Sequence, residues 1–507
     1  MKFINSMLLG SAALVLAGAA QAADVPSPQP RPSADVNKCA AWGAGYYYLP
    51  FSNTCLKIGG VVRAEYFLRP GAPSGVANQS AYNAAGTAYS RDLDQYRGRM
   101  YLTLDDYTST PFGDARGYFS LRETYDSLPS SPAGGGKIVA LGLPAGAKEN
   151  AGLFQGLPNE QTYVDAAFVQ WAGITAGVAH SFFDFYTHNY EMTSSSVGVS
   201  DQPLVLLGYT AKFGSGFTAS ASAEDPSARR IGDSTADIGI ANNDPKSATT
   251  AAYLTYGGVS VPDIVGNFRY DGGWGSAQLA GALHQVNSDP LFGCSSAVVT
   301  TGNCGNAGDK YFLPVGYTPA TAWGFAVEGG AKIKLDAISP GDSTTVQVTY
   351  EEGAMDYVNS TNYYAGTPSI YSHGVSVSVP LNDAFVLPNG SIGMNKGLGA
   401  FAGYQHFWTP SLRSNVFGSY LQIENPVAAQ LLGAGTDNAK IWDVGFNTFW
   451  SPIQALDIGV EVVYTNMTLT GGYPLATGTV LPNTATKGPV SATADDIRAR
   501  LRVQLAF

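Results

Sequence analysis

The sequence predicts an all-β chain closed into a transmembrane antiparallel barrel of sixteen strands. Three observations carry that prediction. The 507-residue chain is short of charge without being unusually apolar, at 13% charged against 45% hydrophobic. Apolar and polar residues alternate with period two in segment after segment. The gaps between those segments are short and long by turns. Soluble proteins carry about 25% charged residues and about 7% glycine, whereas this chain holds 60 glycines. Such a composition hides apolar side chains in a core or shows them to lipid on one face of each strand. The formal net charge of −11 argues against a nucleic-acid partner, because phosphate binding requires a basic surface.

Export is read from the N-terminus. Lys2 supplies a positive start, Met7–Ala20 is a short apolar stretch, and Ala20-Gln21-Ala22 is a small-x-small cleavage pattern. Residues 1–22 are therefore expected to be a cleaved signal peptide, leaving a mature charge of −12 because Lys2 is the one charge removed. The 14 residues of the apolar stretch fall short of the about 20 that a spanning helix needs. Residues 23–56 are expected to be a periplasmic lead-in to a barrel domain at 57–507; Pro26, Pro28, Pro30 and Pro32 make its start extended, and it is too short for a plug domain.

Cysteine usage agrees with export. The four cysteines fall as two local pairs, Cys39 with Cys55 and Cys294 with Cys304, which suggests disulfides in an oxidising compartment. A four-ligand metal site is the alternative, and the absence of any C-x-x-C weighs against it.

The predicted strands run 57–69, 93–106, 115–126, 162–172, 174–180, 204–213, 217–224 and 262–271, then 274–287, 322–335, 342–352, 398–409, 411–423, 440–451, 455–469 and 494–507. The last is the clearest. Ile497, Ala499, Leu501, Val503, Leu505 and Phe507 share one face, and Arg498, Arg500, Arg502, Gln504 and Ala506 the other. Phe217 to Ala223, Trp323 to Leu335, Thr344 to Tyr350 and Leu456 to Tyr464 alternate in the same way. Short connectors hold turn residues, as in Pro111-Phe112-Gly113, Gly214-Ser215-Gly216, Gly272-Gly273, Pro340-Gly341, Pro410 and Pro452. The long ones run about 15 to 45 residues. Short periplasmic turns, long external loops and an even strand count describe an outer-membrane barrel with both ends on the periplasmic side. The strand-like stretch 371–380 would spoil that alternation, so it is placed in the sixth external loop. Trp442 and Trp450 border one outward face as interfacial aromatics do, and the terminal Phe507 has the form of the signal read by outer-membrane assembly machinery.

No catalytic constellation is found: there is no G-x-S-x-G elbow, no H-E-x-x-H and no P-loop, and nothing near His180 or His188 forms a ligand set. No cofactor, metal site or enzymatic activity is expected.

Three blocks, Cys39–Val62, Gln170–Tyr186 and Pro262–Val286, resemble the alphaproteobacterial general porin family, and with the export signal and Phe507 they span the chain. The resemblance implies a homotrimeric diffusion pore for small hydrophilic solutes and ions, set in outer-membrane lipid and lipopolysaccharide, whose third external loop folds into the barrel. A bridge between Cys294 and Cys304 is not expected throughout that family; here it would staple the fifth external loop.

Lumen parity then gathers eight arginines on adjacent strands: Arg498, Arg500 and Arg502 on the last, Arg63 on the first, Arg97 and Arg99 on the second, Arg116 and Arg122 on the third. Opposite this basic wall, the third-loop acids Asp184, Glu191 and Asp201 are expected to complete a transverse field at the constriction, formed by Arg97, Arg99, Arg498 and Arg500 with Asp184 and Glu191. Two alternatives stay open. Phe182, Phe183, Phe185, Tyr186 and Tyr190 could line a track in a channel specific for a sugar or organic anion rather than pack the loop against the wall. The long external loops also suit an adhesive or structural surface barrel.

Overall fold

The structure, a computed structural model, describes residues 39–49, 52–68, 94–127, 160–192, 196–231, 256–258, 260–288, 320–360, 369–372, 375–379, 381–386, 391–426, 438–471 and 490–507. Sixteen strands form one closed antiparallel barrel. They are β1 (Thr54–Leu68), β2 (Asp94–Thr110), β3 (Gly113–Asp126), β4 (Glu160–Trp171), β5 (Ile174–His180), β6 (Pro203–Gly214), β7 (Phe217–Glu224) and β8 (Asp263–Gly272). They continue as β9 (Gly275–Asn287), β10 (Thr321–Lys334), β11 (Ser343–Glu352), β12 (Lys396–Thr409), β13 (Leu412–Glu424), β14 (Asn438–Ile453), β15 (Leu456–Gly471) and β16 (Val490–Ala506). Each strand pairs with its sequence neighbours, and β1 pairs with both β2 and β16, so the wall has no edge. Among the described residues the helical elements are single 3-10 turns at Ala40–Trp42, Pro226–Ala228 and Met355–Tyr357.

Alternation decides which way each side chain points. On β16, Ile497, Leu501, Val503 and Leu505 are exposed on the outside, while Arg502 and Gln504 are buried on the inside. On β15, Val460 and Val462 face outward and Asp457 and Glu461 inward. Trp442, Val444, Phe446 and Trp450 cover the outer face of β14, a lipid-facing band bordered by indoles at both ends. Tight turns close the short side. Ala172-Gly173 and Ser215-Gly216 take positive φ at both positions (+51° and +87°, +52° and +88°), the geometry that matches the twist of two-residue hairpins.

The barrel seam is made by the chain end. The Gly60 N–H donates to the Phe507 carbonyl and the Phe507 N–H donates to the Gly60 carbonyl, each at 3.0 Å. Beyond the seam, the start of β1 pairs instead with the short strand Tyr47–Leu49.

Of the two expected disulfides, the structure contains the first. A bond between Cys39 and Cys55 fastens the lead-in to β1. The second expected bridge, between Cys294 and Cys304, lies outside the described residues. The signal segment lies outside them as well.

One expectation about the loops is revised. The stretch 371–380 does stay out of the wall: Ser369–Ser372 and Val375–Ser378 pair only with each other. Yet the sixth loop is not wholly external. Ala354, Met355, Tyr357 and Val358, and further on Val379, Leu381, Ala384 and Phe385, are all buried. Met355, Val358, Val379 and Leu381 pack on the inward-facing Leu421, Ile423, Ala439, Ile441 and Met467 of β13–β15. The inner face there is apolar, and water is a poorer cover for it than a folded loop.

The seam yields a test. A Cβ at Gly60 would collide with the Tyr101 carbonyl oxygen and the Phe507 ring. Gly60→Val is therefore expected to hinder closure and lower the yield of heat-resistant folded barrel on gel electrophoresis. A wild-type yield would show that the seam tolerates a displaced Phe507.

Candidate functional site in the lumen

The eight wall arginines sit where strand parity put them, and register stacks them in rows. Across β16–β1–β2–β3, one row reads Gln504, Arg63, Arg99, Thr124, and the next toward the external side reads Arg502, Glu65, Arg97, Asp126. Toward the periplasm, Tyr101 lies beside Arg122, and Tyr107 beside Arg116. The wall brings its own counter-charges. Arg97 grips Asp126 with two bonds of 2.5 and 2.9 Å, and Arg116 grips Asp105 with bonds of 2.8 and 3.1 Å. Arg122 lies 3.3 Å from Asp165, and Arg498 lies 3.3 Å from Asp496. Arg500 and Arg502 share Glu65 at 3.1 and 2.6 Å. Arg63 and Arg99 instead bond to neutral groups, Gln504 at 2.9 Å and Thr124 at 3.0 Å. Aromatic rings interleave the guanidiniums, with Arg500 3.9 Å from the Phe67 ring centroid and Arg122 4.5 Å from that of Tyr163.

The third external connection, between His180 and Pro203, folds into the barrel as expected. Its root is held by Glu224 of β7, which accepts from the Ser181 hydroxyl at 2.6 Å and the Phe182 N–H at 3.0 Å. It then follows the inner wall. Asn267 and Gln278 donate to the carbonyls of Phe182 and Phe183, and Gln347 accepts from the Tyr186 N–H. Asn415 and Asn447 both donate to the Tyr190 carbonyl, at 3.0 and 2.7 Å. At its far reach the Met192 carbonyl accepts from Arg500 at 2.7 Å and also from Arg502. The loop thus crosses from β5 to the basic wall, and side-chain amides on the inner strands satisfy its backbone.

Its acids do not face the wall, which corrects the expected transverse pairing. Asp184 is buried and accepts from Ser200, from the Gln202 N–H and from Arg229 at 3.3 Å. Glu191 is buried between the Tyr186 hydroxyl and His188. Asp201 lies 2.8 Å from His180. A carboxylate buried in the loop needs its own partner within reach, and each has found one. His180, Asp184 and Asp201 bring ligand-type atoms within 4.8 Å of one another, but Arg229 already supplies the positive charge at that spot. The loop's aromatics are likewise used up. Phe182, Phe183, Tyr186 and Tyr190 are buried, Tyr186 stacks on Phe401 at 3.8 Å, and Phe183 meets Tyr357 edge-on at 4.8 Å.

Arg229 ties three loops together. Leaving the short turn after β7, it is fully buried; it donates to Ser200 at 2.7 Å and to the Asp356 carbonyl at 3.2 Å, and lies 4.1 Å from the Tyr357 ring centroid. Burial by itself disfavours its charge, but Asp184, Tyr357 and Asp356 outweigh that and hold the guanidinium firmly protonated. Val197, Met355, Val358, Val379 and Leu381 close an apolar plug around this clamp, with Ile231 at its margin.

Sequence reasoning missed most of the counter-charges. Glu65, Asp105, Asp126 and Asp496 share parity with the arginines on their own strands, so the same rule would have found them. Asp165 escapes it. A bulge opposite Ser120/Leu121 flips the parity of β4 and turns this residue toward Arg122. Arg229 carried no sequence signal, because its partners are 29 to 127 residues away.

The profile of the family described as "Porin subfamily" matches residues 24–484. Porin Omp2b of Brucella suis biovar 1 (strain 1330) is 29% identical over 287 residues, covering 55% of this chain and 65% of that protein. Porin Omp2b of Brucella abortus (strain 2308) shows the same identity and coverage. The matched stretch is thus just under two thirds of those relatives' length. Among solved structures, the outer membrane channel DcaP of Acinetobacter baumannii aligns over 90% of this chain and 98% of its own, with a TM-score of 0.55 at 15% identity, a likeness of fold.

Two outcomes are expected from the loop clamp. Arg229→Leu removes the cation beside the buried Asp184 carboxylate; breaking a buried pair costs about 3–5 kcal/mol, while the ladder-bonded barrel persists. Single-channel recordings should then show larger current fluctuations, and wild-type noise would mean that Arg229 does not hold the loop. The second concerns pH. Burial alone would lower His188, but Glu191, aided by Asp201 and Asp443, outweighs it and raises the imidazole above its ordinary range; Tyr186 stacks nearby. A raised value means that the contact stabilises the loop fully below the ordinary histidine range and is lost as pH climbs through the raised one. Fluctuations should therefore grow from mildly acidic to alkaline pH in the native protein. In His188→Gln the rise should be shallower, what remains belonging to the His180–Asp201 contact of the same loop, and equal slopes in both would count against the His188 contact.

Proposed function

Because this chain belongs to the porin family, whose profile covers most of it, we propose that it forms a water-filled outer-membrane channel for passive diffusion of small hydrophilic solutes and ions, assembled as a homotrimer. The observation that carries the reading is a closed barrel whose inner face holds a continuous strip of arginines while an inward-folded loop follows the inner wall to meet it. Guanidiniums remain charged at any physiological pH. In a low-dielectric tube they orient water, favour polar and charged solutes over apolar ones and bias ion passage, while the inward loop restricts size. We assign selectivity to the wall, with Arg97, Arg99, Arg498 and Arg500 as its centre and Arg63, Arg116, Arg122 and Arg502 extending it. Asp184, Glu191 and Asp201 take a different role in this reading, holding the third loop in place. A bridge between Cys294 and Cys304 staples the fifth external loop in the same reading, supported by their close spacing in an exported chain. Phe507 serves as the C-terminal assembly signal, with the outer-membrane assembly machinery as its reader and lipid and lipopolysaccharide as the barrel's surroundings. No catalytic step is assigned to any residue. The aromatic-track alternative is disfavoured because Phe182, Phe183, Tyr186 and Tyr190 are buried against protein and Phe185 is half-buried beside them.

Planar-bilayer recording tests the reading. The purified protein is expected to give large, ohmic conductance in steps of three. Absent conductance would favour a structural or adhesive barrel, and single steps would remove the trimer. Neutralising Arg97 and Arg500 together (Arg97→Gln, Arg500→Gln) is expected to shift the zero-current potential in a salt gradient toward cations. An unchanged potential would move selectivity off the wall.

A further inference from the structure

We propose that Arg63 and Arg99 form a binding site for an oxyanion, a phosphate or carboxylate group, carried by solutes in transit. The inference rests on the channel reading above and adds to it a class of solute. The site is defined by what the wall does everywhere else. Six of its eight arginines have a carboxylate partner in the structure: Arg97 with Asp126, Arg116 with Asp105, Arg122 with Asp165, Arg498 with Asp496, and Arg500 and Arg502 with Glu65. Arg63 and Arg99 have none among the described residues, although they stand directly opposite each other across β1 and β2. Glu65, two residues along β1, is turned to Arg500 and Arg502.

Like charges facing each other across a strand pair destabilise a sheet, and burying one of them raises the cost. Arg63 is buried and Arg99 partly so. No fold requirement explains two such residues, since the neighbouring rows show how readily this wall places an acid beside a guanidinium. An arrangement that spends stability without a structural return is the signature of a functional site.

The geometry is suited to an oxyanion. The Nε–H of Arg63 donates to Gln504 Oε1 at 2.9 Å, and the Nε–H of Arg99 donates to Thr124 Oγ1 at 3.0 Å. Nη1 of Arg99 also reaches the Tyr101 hydroxyl at 3.3 Å, and Arg63 lies 5.4 Å from the Tyr101 ring centroid. Each guanidinium is thereby fixed by a neutral acceptor, which sets its plane without cancelling its charge. The outer nitrogens of Arg63 and Nη2 of Arg99 make no hydrogen bond to a described residue and are left to donate. Planar forks of this kind match the paired oxygens of phosphate and carboxylate. The Tyr101 hydroxyl adds a neutral group at the same level.

The experiment is a titration of single-channel current in potassium chloride with inorganic phosphate, and separately with acetate as the carboxylate arm. The native channel is expected to show a saturable fall in chloride-carried current with one or both anions; whichever saturates names the oxyanion. In Arg63→Gln and in Arg99→Gln the half-saturating concentration should rise about tenfold or more, as loss of a charge-assisted bond predicts. Arg413→Gln, a β13 residue outside the wall whose partner is Asp457, should retain native half-saturation. Because each Gln variant relieves repulsion, heat resistance of the folded barrel should be equal to or greater than native, which separates a lost site from a lost fold. Arg63→Lys with Arg99→Lys keeps both charges but not the forks, and its saturation should weaken although no charge is lost. Native current that falls linearly with both anions, or equal half-saturation in all variants, would overturn the site while leaving the channel standing. A native protein that conducts nothing would instead remove the channel reading itself.

Discussion

Inside hydrocarbon every backbone N–H and C=O must be satisfied by the protein, and a sheet can meet that demand only by closing on itself. Here the closure runs through the β1–β16 seam, where Gly60 and Phe507 exchange hydrogen bonds. The rest of the architecture follows from it. A closed sheet has an outside and an inside, and period two sends alternate side chains to each. The outside can hold almost no charge, since a basic residue on the lipid face costs about 2–4 kcal/mol at the midplane. The chain's low charge content is therefore a consequence of the wall, and the charges that remain on the strands are drawn inward.

Once inward, charges obey a different rule. The lumen side of β16–β1–β2–β3 is crowded enough that guanidiniums need partners, and carboxylates on the same or adjacent strands supply most of them. This makes the basic strip a neutralised lattice with a residual positive excess, rather than a bare positive surface. The excess is concentrated at Arg63 and Arg99. Across the lumen, buried amides, acids and apolar residues on the inner strands accept the third and sixth loops. Arg229 binds those loops to one another through Ser200, Asp184 and Asp356. Two kinds of inner surface thus share one barrel: one side polar and basic, the other covered by folded loop.

How much of this was legible follows from the range of the interactions. The sixteen strands were readable because alternation and turn residues act over a few positions; all sixteen appear with ends displaced by a few residues. The eight arginines were placed inward by the same local rule. The Cys39–Cys55 bond was readable too, since its partners are 16 residues apart and flank a single lead-in. The loop acids were assigned the wrong neighbours because a loop has no parity, and its side chains go where burial finds them a partner. Asp165 was unreadable because one bulged residue reverses the facing of everything beyond it on that strand. The inward packing of the sixth loop was hidden for a related reason: Leu421, Ile423, Ala439, Ile441 and Met467 read as ordinary strand residues until a loop is seen covering them.

The sequence by itself determined the class of fold, the facing of each strand and the gathering of arginines on one arc, because a two-residue period and barrel closure leave no other solution in a membrane. Only the tertiary structure decided which charges cancel, which loops enter the lumen and which two wall guanidiniums lack a carboxylate among the described residues. Those outcomes depend on contacts between residues tens to hundreds of positions apart, and side-chain pairing at that range has no signature in a single chain of letters.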